Sequence, residues 1–515
     1  MHMVRFFPGL ILGVATFGAL VAFGALGACS STDSFVLVSV DARPAVHDAK
    51  SLAVTLSNGG TTRTDSLALR DQAFPVTFSI STPGRTGDLA IAVDALDEAG
   101  LVVGHGTATT TTTMPDASVQ LESTDFVVNT DYASDQFPAD DFEASGLQLA
   151  AQPDGTWTAA FRDSCMAGSC NIFARRFDKL GKPQQTAVSA SANAFNLTTA
   201  LTTSSSTPAI ASNATTTVAV WDAYDVVGTG HGVACRALDS AGRATANQLS
   251  VATDSADVVS VAALNNGNFI ASWNTLLPAG IDEVIRAVII KPDCTALAAP
   301  GVQTVSTLPG FAHRGAVATS ADRALFVWIV DGDLHTRMMS STGAFTTTDT
   351  ALVTKTATDQ LMHARVAGVA AGGFVIAVRW AQTVSPGPGR IDLVRVNAAG
   401  GLVAAPTLVT DKSSADFENS ETFSIASRPD GTVLVAWHTC GVLGDARMMC
   451  DVFGRIVRDT GIPVADAFVL ATTTEGDQRL PSVVGLPDSF VALWTDGSAK
   501  PPDVVGLAAR ARIIY

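Results

Sequence analysis

The chain has 515 residues, of which only 16% are charged, and its formal net charge is −16. That length accommodates two or three domains, and so acidic a chain lacks the basic face that nucleic-acid phosphates require, which argues against nucleic acid as a partner. Ala, Thr, Ser, Val and Gly are plentiful, and after residue 29 short apolar runs bounded by Gly, Pro, Asn and Asp recur with no long amphipathic helical pattern, so the chain reads as all-β.

At the amino terminus Arg5 precedes an apolar stretch from Phe6 to Leu26, the layout of a secretory signal peptide. The stretch is long enough to cross a bilayer, for which about 20 apolar residues suffice. However, Leu26-Gly27-Ala28-Cys29, followed by polar Ser30-Ser31-Thr32, resembles the lipobox of bacterial lipoproteins. The resemblance implies that residues 1–28 are removed as a lipoprotein signal peptide. It also implies that Cys29 carries acyl chains through a thioether and on its new amino group. Two or more chains make a stable anchor, so the membrane is a partner through lipid on Cys29. Ser30 in place of Asp implies release to the outer membrane, with the periplasmic or cell-surface side left open. Residues 29–33 form a short tether, since Ser30 to Asp33 reach at most about 14 Å when extended.

From residue 34 to 123 alternating runs predict strands at Phe35–Val40, Leu52–Leu56, Phe74–Ile80, Leu89–Leu96, Leu101–Thr113 and Ser118–Glu122. Asp97-Glu98-Ala99-Gly100 supplies a hairpin turn, and the threonine run Thr109–Thr113 reads as strand because threonine favours the pleated conformation. This pattern predicts an immunoglobulin-like β-sandwich.

Residues 124–515 carry an internal repeat of a short apolar strand, a second strand ending in an aromatic marker, and a third strand carrying Arg with Gly six residues later. The markers are Phe161, Trp221, Trp273, Trp328, Trp380, Trp437 and Trp494; Trp380 is displaced by about one residue, and Trp157 lies four residues before Phe161. Arg175 and Gly181, Arg236 and Gly242, Arg337 and Gly343, Arg395 and Gly401, and Arg455 and Gly461 share one spacing, while Pro292 follows Arg286 and Arg512 lies near the end. A period of about 50 to 60 residues with four strands per unit predicts a seven-bladed β-propeller. One blade cannot bury both faces alone, so the markers are expected to fill the gaps between blades. The last unit, from Pro481 to Tyr515, runs out after its third strand. Phe126 through Asp135-Gln136 has the layout of Phe468 through Asp477-Gln478. Residues 124–130 are therefore expected to complete the last blade, which removes an open sheet edge.

Six cysteines remain after Cys29, in a compartment that permits disulfides. Cys165 with Cys170, and Cys440 with Cys450, are spaced to staple hairpins, and by elimination Cys235 joins Cys294. Chain entropy gives roughly 2, 3 and 4 kcal/mol for these closures in that order. No CxxC or nearby His pair accompanies them, so no metal site is expected.

Searching for chemistry yields no HExxH, GxSxG or Walker loop, and neither a catalytic residue nor a cofactor is assigned. Gly228-Thr229-Gly230-His231-Gly232 precedes no helix start and reads as a turn, as does Asp331-Gly332-Asp333. The carboxylates Asp135, Asp140, Asp141 and Glu143 read as a solvated inter-blade loop. His438 after Trp437 and Arg379 beside Trp380 sit at strand ends where propellers present ligand contacts. Neither the Ser-x-Asp-x-Gly-x-Thr-Trp turns of sialidases nor the tryptophan docking repeat of quinoproteins is present, and Trp494-Thr495-Asp496 occurs once. In layout the chain resembles the uncharacterised β-propeller-repeat lipoproteins of GC-rich Gram-negative bacteria. That resemblance carries over no functional residue. The favoured expectation is a non-enzymatic binding or scaffold module that presents variable loops to a protein, peptide or glycan. The alternatives are a hydrolase or lyase acting on an extracellular or envelope polymer, and a structural envelope or adhesion component. Two or more carboxylates converging with His or Arg at one mouth of the propeller would favour the enzyme.

Overall fold

A computed structural model describes residues 35–515 apart from 71, 113, 115, 130–135, 138–148, 164–170, 185–193, 199–202, 206–207, 226–230, 246, 255, 277–282, 308–311, 383–388, 411–421, 441–448 and 502–505. Cys29, Cys165, Cys170 and the acidic stretch Asp135–Glu143, apart from Gln136 and Phe137, therefore lie outside the described residues. Two compact units divide at Thr124 and Asp125.

In the first unit, alternation of Val, Leu and Ile with polar residues produces strands β1 Phe35–Ala42, β2 Ser51–Asn58, β3 Thr61–Ala68, β4 Val76–Ser81, β5 Asp88–Leu96, β6 Val102–Thr111 and β7 Asp116–Ser123. They join in the order β3-β2-β5-β6-β7-β1-β4, with β1 parallel to β7 and antiparallel to β4. Val36, Val38, Val40, Leu52, Val54, Ile91, Val93, Val119 and Leu121 form one buried cluster. The six expected strands are present, and β3 is an addition. Its sequence, Thr-Thr-Arg-Thr-Asp-Ser-Leu-Ala, offers almost no apolar alternation. It forms because Gly59 and Gly60, at φ of 56° and 77°, make a tight turn that returns the chain onto β2.

The second unit contains seven sheets of four or five strands. Numbering them as blades 1 to 7, their second strands are Trp157–Asp163, Thr216–Asp225, Phe269–Leu276, Arg323–Val330, Phe374–Gln382, Thr432–Cys440 and Phe490–Asp496. The inner strand of each blade touches that of the next, and Leu149–Ala151 of blade 1 touches Gln478–Gly485 of blade 7. The sheets therefore form a closed seven-bladed β-propeller. Ring closure falls where the sequence indicates: β8, Phe126–Val127, is the outer strand of blade 7, with Val127 opposite Arg510 and Phe126 opposite Ala511.

All seven aromatic markers are buried. Trp221, Trp273, Trp328, Trp380, Trp437 and Trp494 each sit in the apolar cluster that joins their blade to the preceding one. Between blades 7 and 1, Trp157 stacks on Phe177 at 4.2 Å with Phe126 at 6.3 Å from Trp157. In cross-strand register Trp380 lies two residues beyond the marker position, which Val378 occupies, not one. An even shift keeps the ring on the same face of the strand, so Trp380 still packs against blade 4.

The repeated arginine has a structural role that its spacing alone does not reveal. Arg175, Arg236, Arg337, Arg455 and Arg512 donate from Nη1 to the backbone oxygens of Val128, Leu197, Val305, Val409 and Leu470 at 2.7, 2.9, 2.8, 2.7 and 3.0 Å. Each acceptor is a buried residue following the outer strand of the preceding blade, and its own N–H bonds the third strand of its blade. The arginine is thus an inter-blade staple. Two members of the predicted series depart from it. In blade 5 the turn is Asn397 to Gly401 with Gly400 at φ 89°, so Val394 holds the staple position and Arg395 points to the other face. Gly401 is therefore not the turn glycine. In blade 3 the position is Val288, and Arg286 instead pairs with Asp254 of blade 2 at 2.8 Å. The same junction carries the disulfide between Cys235 and Cys294, and a second disulfide joins Cys440 to Cys450.

Arg455→Ala is expected to lower stability by about 1.5 to 3 kcal/mol, because it strips a charge-assisted bond from a buried carbonyl. Arg395→Ala is expected to change it by no more than about 0.5 kcal/mol. Urea denaturation of the two variants beside the wild type checks this; equal losses would remove the staple.

Candidate functional site

Polar side chains gather at one end of the propeller, where inner strands begin and second strands end. In blades 3, 4, 5 and 7 the inner strand is bulged there, between Asp257 and Ser260, His313 and Ala316, Leu361 and His363, and Arg479 and Ser482. Bulges re-aim side chains, and two of them hold Val258 and Leu480 at φ of 45° and 58°, a sparsely populated region for such residues. The opposite end consists of short turns such as Asp178 to Lys182.

The densest group lies across blades 5, 6 and 7. The bulge in blade 5 brings His363 opposite Arg379 on the second strand. In blade 6, His438 follows the marker Trp437, and its Nδ1 lies 3.1 Å from the Thr422 hydroxyl at the head of the inner strand. Thr439 faces Asp451 across the second and third strands. Asp477, leading into blade 7, accepts from the backbone N–H of Cys450 at 2.9 Å and from Arg479 at 3.2 Å. The Cys440–Cys450 disulfide clamps the ends of the two strands that carry His438 and Asp451.

Burial shapes the protonation of this group. His438 is 5% exposed. Its desolvation, reinforced by the positive charges of Arg479 and Arg379, depresses its pKa to about 4, so the ring is neutral near pH 7. Asp451, equally buried, is pushed above the usual carboxylate range by desolvation and then by the negative charge of Asp477. Its Oδ1 has no hydrogen-bond partner. The arrangement thus offers a neutral imidazole, a carboxyl made a weaker acid than usual by burial, an ion-paired carboxylate and two guanidiniums. That set can move protons and bind negative charge.

Two other polar groups at this end each pair one arginine with two aspartates. Arg390 bonds Asp359 and Asp392, both at 3.2 Å, and lies 4.8 Å over Trp380. Desolvation raises the pKa of Asp392. In blade 7, Arg510 bonds Asp496 at 2.7 Å and Asp125 at 3.0 Å, all three buried. These serve packing and ring closure.

Sequence reasoning singled out Arg379 and His438 by position, and the fold brings them together. Thr422, Asp451, Asp477 and Arg479 escaped it because they come from different strands of blades 6 and 7 and share no spacing. Asp331-Gly332-Asp333 is a hairpin turn, with Val330 opposite Asp333, and residues 228–230 of the Gly-rich segment lie outside the described residues. Among the described residues no three His, Cys, Asp or Glu side chains form a metal-ligand set.

No protein-family model matches the chain, and no curated protein matches it. Among solved structures, the chain is similar to a point mutant of the α-L-arabinofuranosidase arb93a from Fusarium graminearum, with TM-score 0.42, 9% identity, and coverage of 76% of this chain and 98% of that one. A Trypanosoma rangeli sialidase gives 0.34, 9%, 77% and 56%. The α-L-arabinofuranosidase PaAbf62A from Podospora anserina gives 0.31, 9%, 50% and 90%. Likenesses this distant carry no functional information.

Because the folded His438 pKa, about 4, lies below its unfolded value near 6.5, the unfolded state binds the extra proton between them. Stability is then fully present above pH 6.5 and is lost as pH falls toward 4, by up to about 3 kcal/mol. An NMR titration of the His438 ring checks this; a midpoint near 6.5 would contradict the burial argument.

Proposed function

We propose that the propeller is a hydrolase or lyase acting on glycosidic bonds of an extracellular or envelope polymer. The observation that carries this reading is the convergence of Asp451 and Asp477 with His438, Arg379 and Arg479 at one mouth of the ring, which favours the enzyme over a non-enzymatic binding module. Asp451, whose proton affinity is raised by burial and by the neighbouring Asp477, is the candidate to protonate the leaving glycosidic oxygen. Asp477, held by Arg479 and the Cys450 N–H, and neutral His438 are suited to accept a proton from water or from a sugar carbon. Asp451→Asn and His438→Gln are each expected to lower turnover about 10²- to 10⁴-fold. Reducing-end or unsaturated-product release from a panel of plant and bacterial polysaccharides measures it. Absence of release from every polymer, or full activity in both variants, would overturn the reading.

We further infer that the protein is exported and lipid-anchored through Cys29, a reading supported by the Leu26–Cys29 pattern behind an apolar leader. The first unit would then be an immunoglobulin-like β-sandwich following the tether; its buried alternation and the parallel β1–β7 pairing support that reading. Labelled palmitate is expected to enter the wild type and not Cys29→Ser; equal labelling would exclude the anchor.

A further inference from the structure

The inference here rests on the reading as a glycosidic-bond enzyme and concerns how His438 is held as a proton acceptor. His438 lies on the second strand of blade 6, one residue past Trp437. Successive side chains of a strand point to opposite faces. Trp437 packs toward blade 5, so His438 points with Leu434, Ala436 and Val452 toward blade 7. On the third strand its partner in register is Val452, whose side chain has no hydrogen-bonding atom. On the inner strand Phe423 pairs with Trp437, and the same register continued by one residue sets Thr422 beside His438. There the ring Nδ1 lies 3.1 Å from Thr422 Oγ1, and both residues are 5% exposed. Of the two residues beside it in register, only Thr422 has a side chain able to bond the ring. A neutral imidazole has one N–H, and the bond made by one nitrogen decides which of the two carries it. Burial foremost, then Arg479 and Arg379, lowers the basicity of this ring, whereas Asp477 and the Thr422 backbone raise it. A bond that raises basicity is one the ring donates, which puts the proton on the nitrogen facing Thr422 and leaves Nε2 with its lone pair.

We propose that Thr422 is a positioning residue that holds the proton of His438 on Nδ1, so that Nε2 is the atom that accepts a proton in the reaction. That proton leaves water or a sugar carbon, and the electron pair of the broken O–H or C–H bond goes into the new C–O or C=C bond. The ring becomes an imidazolium whose Nδ1–H still faces Thr422. With the proton on Nε2 instead, the lone pair would face Thr422, and a substrate would meet only an N–H.

Long-range proton–nitrogen correlation spectra of the full-length protein labelled at histidine test the proposal at neutral pH, with His438 assigned from its loss in His438→Gln. The wild type is expected to show His438 protonated at Nδ1 and bare at Nε2. Thr422→Val keeps the shape and removes the hydroxyl. It is expected to shift the population toward the Nε2-protonated ring by about tenfold, and Thr422→Ser to restore the wild-type pattern. On a polymer that the protein cleaves, Thr422→Val is expected to lower kcat by about tenfold with KM unchanged. A wild-type ring protonated at Nε2, a Thr422→Val ring identical to the wild type, or a Thr422→Ser ring matching Thr422→Val would overturn the proposal. Should Thr422→Val not fold, the wild-type spectrum still decides. Cleavage of a polymer by a protein whose His438 is protonated at Nε2 would remove this inference and leave the enzyme reading standing. The expected tautomer in a protein that cleaves no polymer would keep the hold of Thr422 on the ring and remove the reaction it is inferred to serve.

Discussion

Closure of the ring is the constraint on which the second unit depends. A four-stranded blade has two apolar faces and cannot cover both, so every blade needs neighbours on either side. The first and last blades obtain theirs only if the chain ends meet. Here β8 pairs with the final strand, and Arg510 contacts Asp125 across 385 positions of sequence. Asp125 also accepts the backbone N–H groups of Thr472 and Thr473 at 2.7 and 2.8 Å, while Gln478 donates to Asp496 at 3.0 Å. A buried ion cluster of this kind contributes little net stability against an apolar equivalent, but removing one member leaves a charge stranded. Its effect is to define one register for the closing strand.

The same device recurs between blades 3 and 4. Asp349 lies 2.9 Å from His335, which occupies the position opposite the marker tryptophan that Arg510 holds in blade 7, and Asp349 accepts the Thr307 N–H at 2.7 Å. These contacts hold Asp349 below the usual carboxylate range against the opposing effect of burial. Five junctions therefore combine an aromatic wedge with an arginine staple, while that of blades 4 and 5 has Val394 at the staple position. At the junction of blades 2 and 3, where Val288 replaces the staple, a disulfide and the Arg286–Asp254 ion pair stand in its place. Different chemistry meets one geometric need, which is to fix the outer strand of one blade to the third strand of the next.

That regular frame is what permits an irregular mouth. Bulges, an aspartate from a connecting segment and a disulfide-clamped strand pair gather His438, Asp451, Asp477, Arg379 and Arg479 from three blades. All but Asp477 are positioned by backbone pairing within a sheet rather than by a long loop. Burial then shifts the two in opposite senses, lowering the basicity of His438 and raising the proton affinity of Asp451.

Seven blades, their order, the buried markers and the closing role of Phe126 and Val127 were legible in the sequence, because each follows from local alternation repeated at a constant interval. Strand β3 was not, since its pairing arises from the Gly59–Gly60 turn and not from apolar alternation. The one-residue misplacement of Arg395 and Gly401 has a similar origin: spacing counts residues, whereas side-chain direction in a strand changes with every one. Sequence pointed to Arg379 and His438 only as strand-end positions. Their meeting with Asp451, Asp477 and Arg479 was decided by the tertiary structure, because convergence of residues from different blades depends on ring closure and bulge geometry, neither of which is encoded at a fixed separation along the chain.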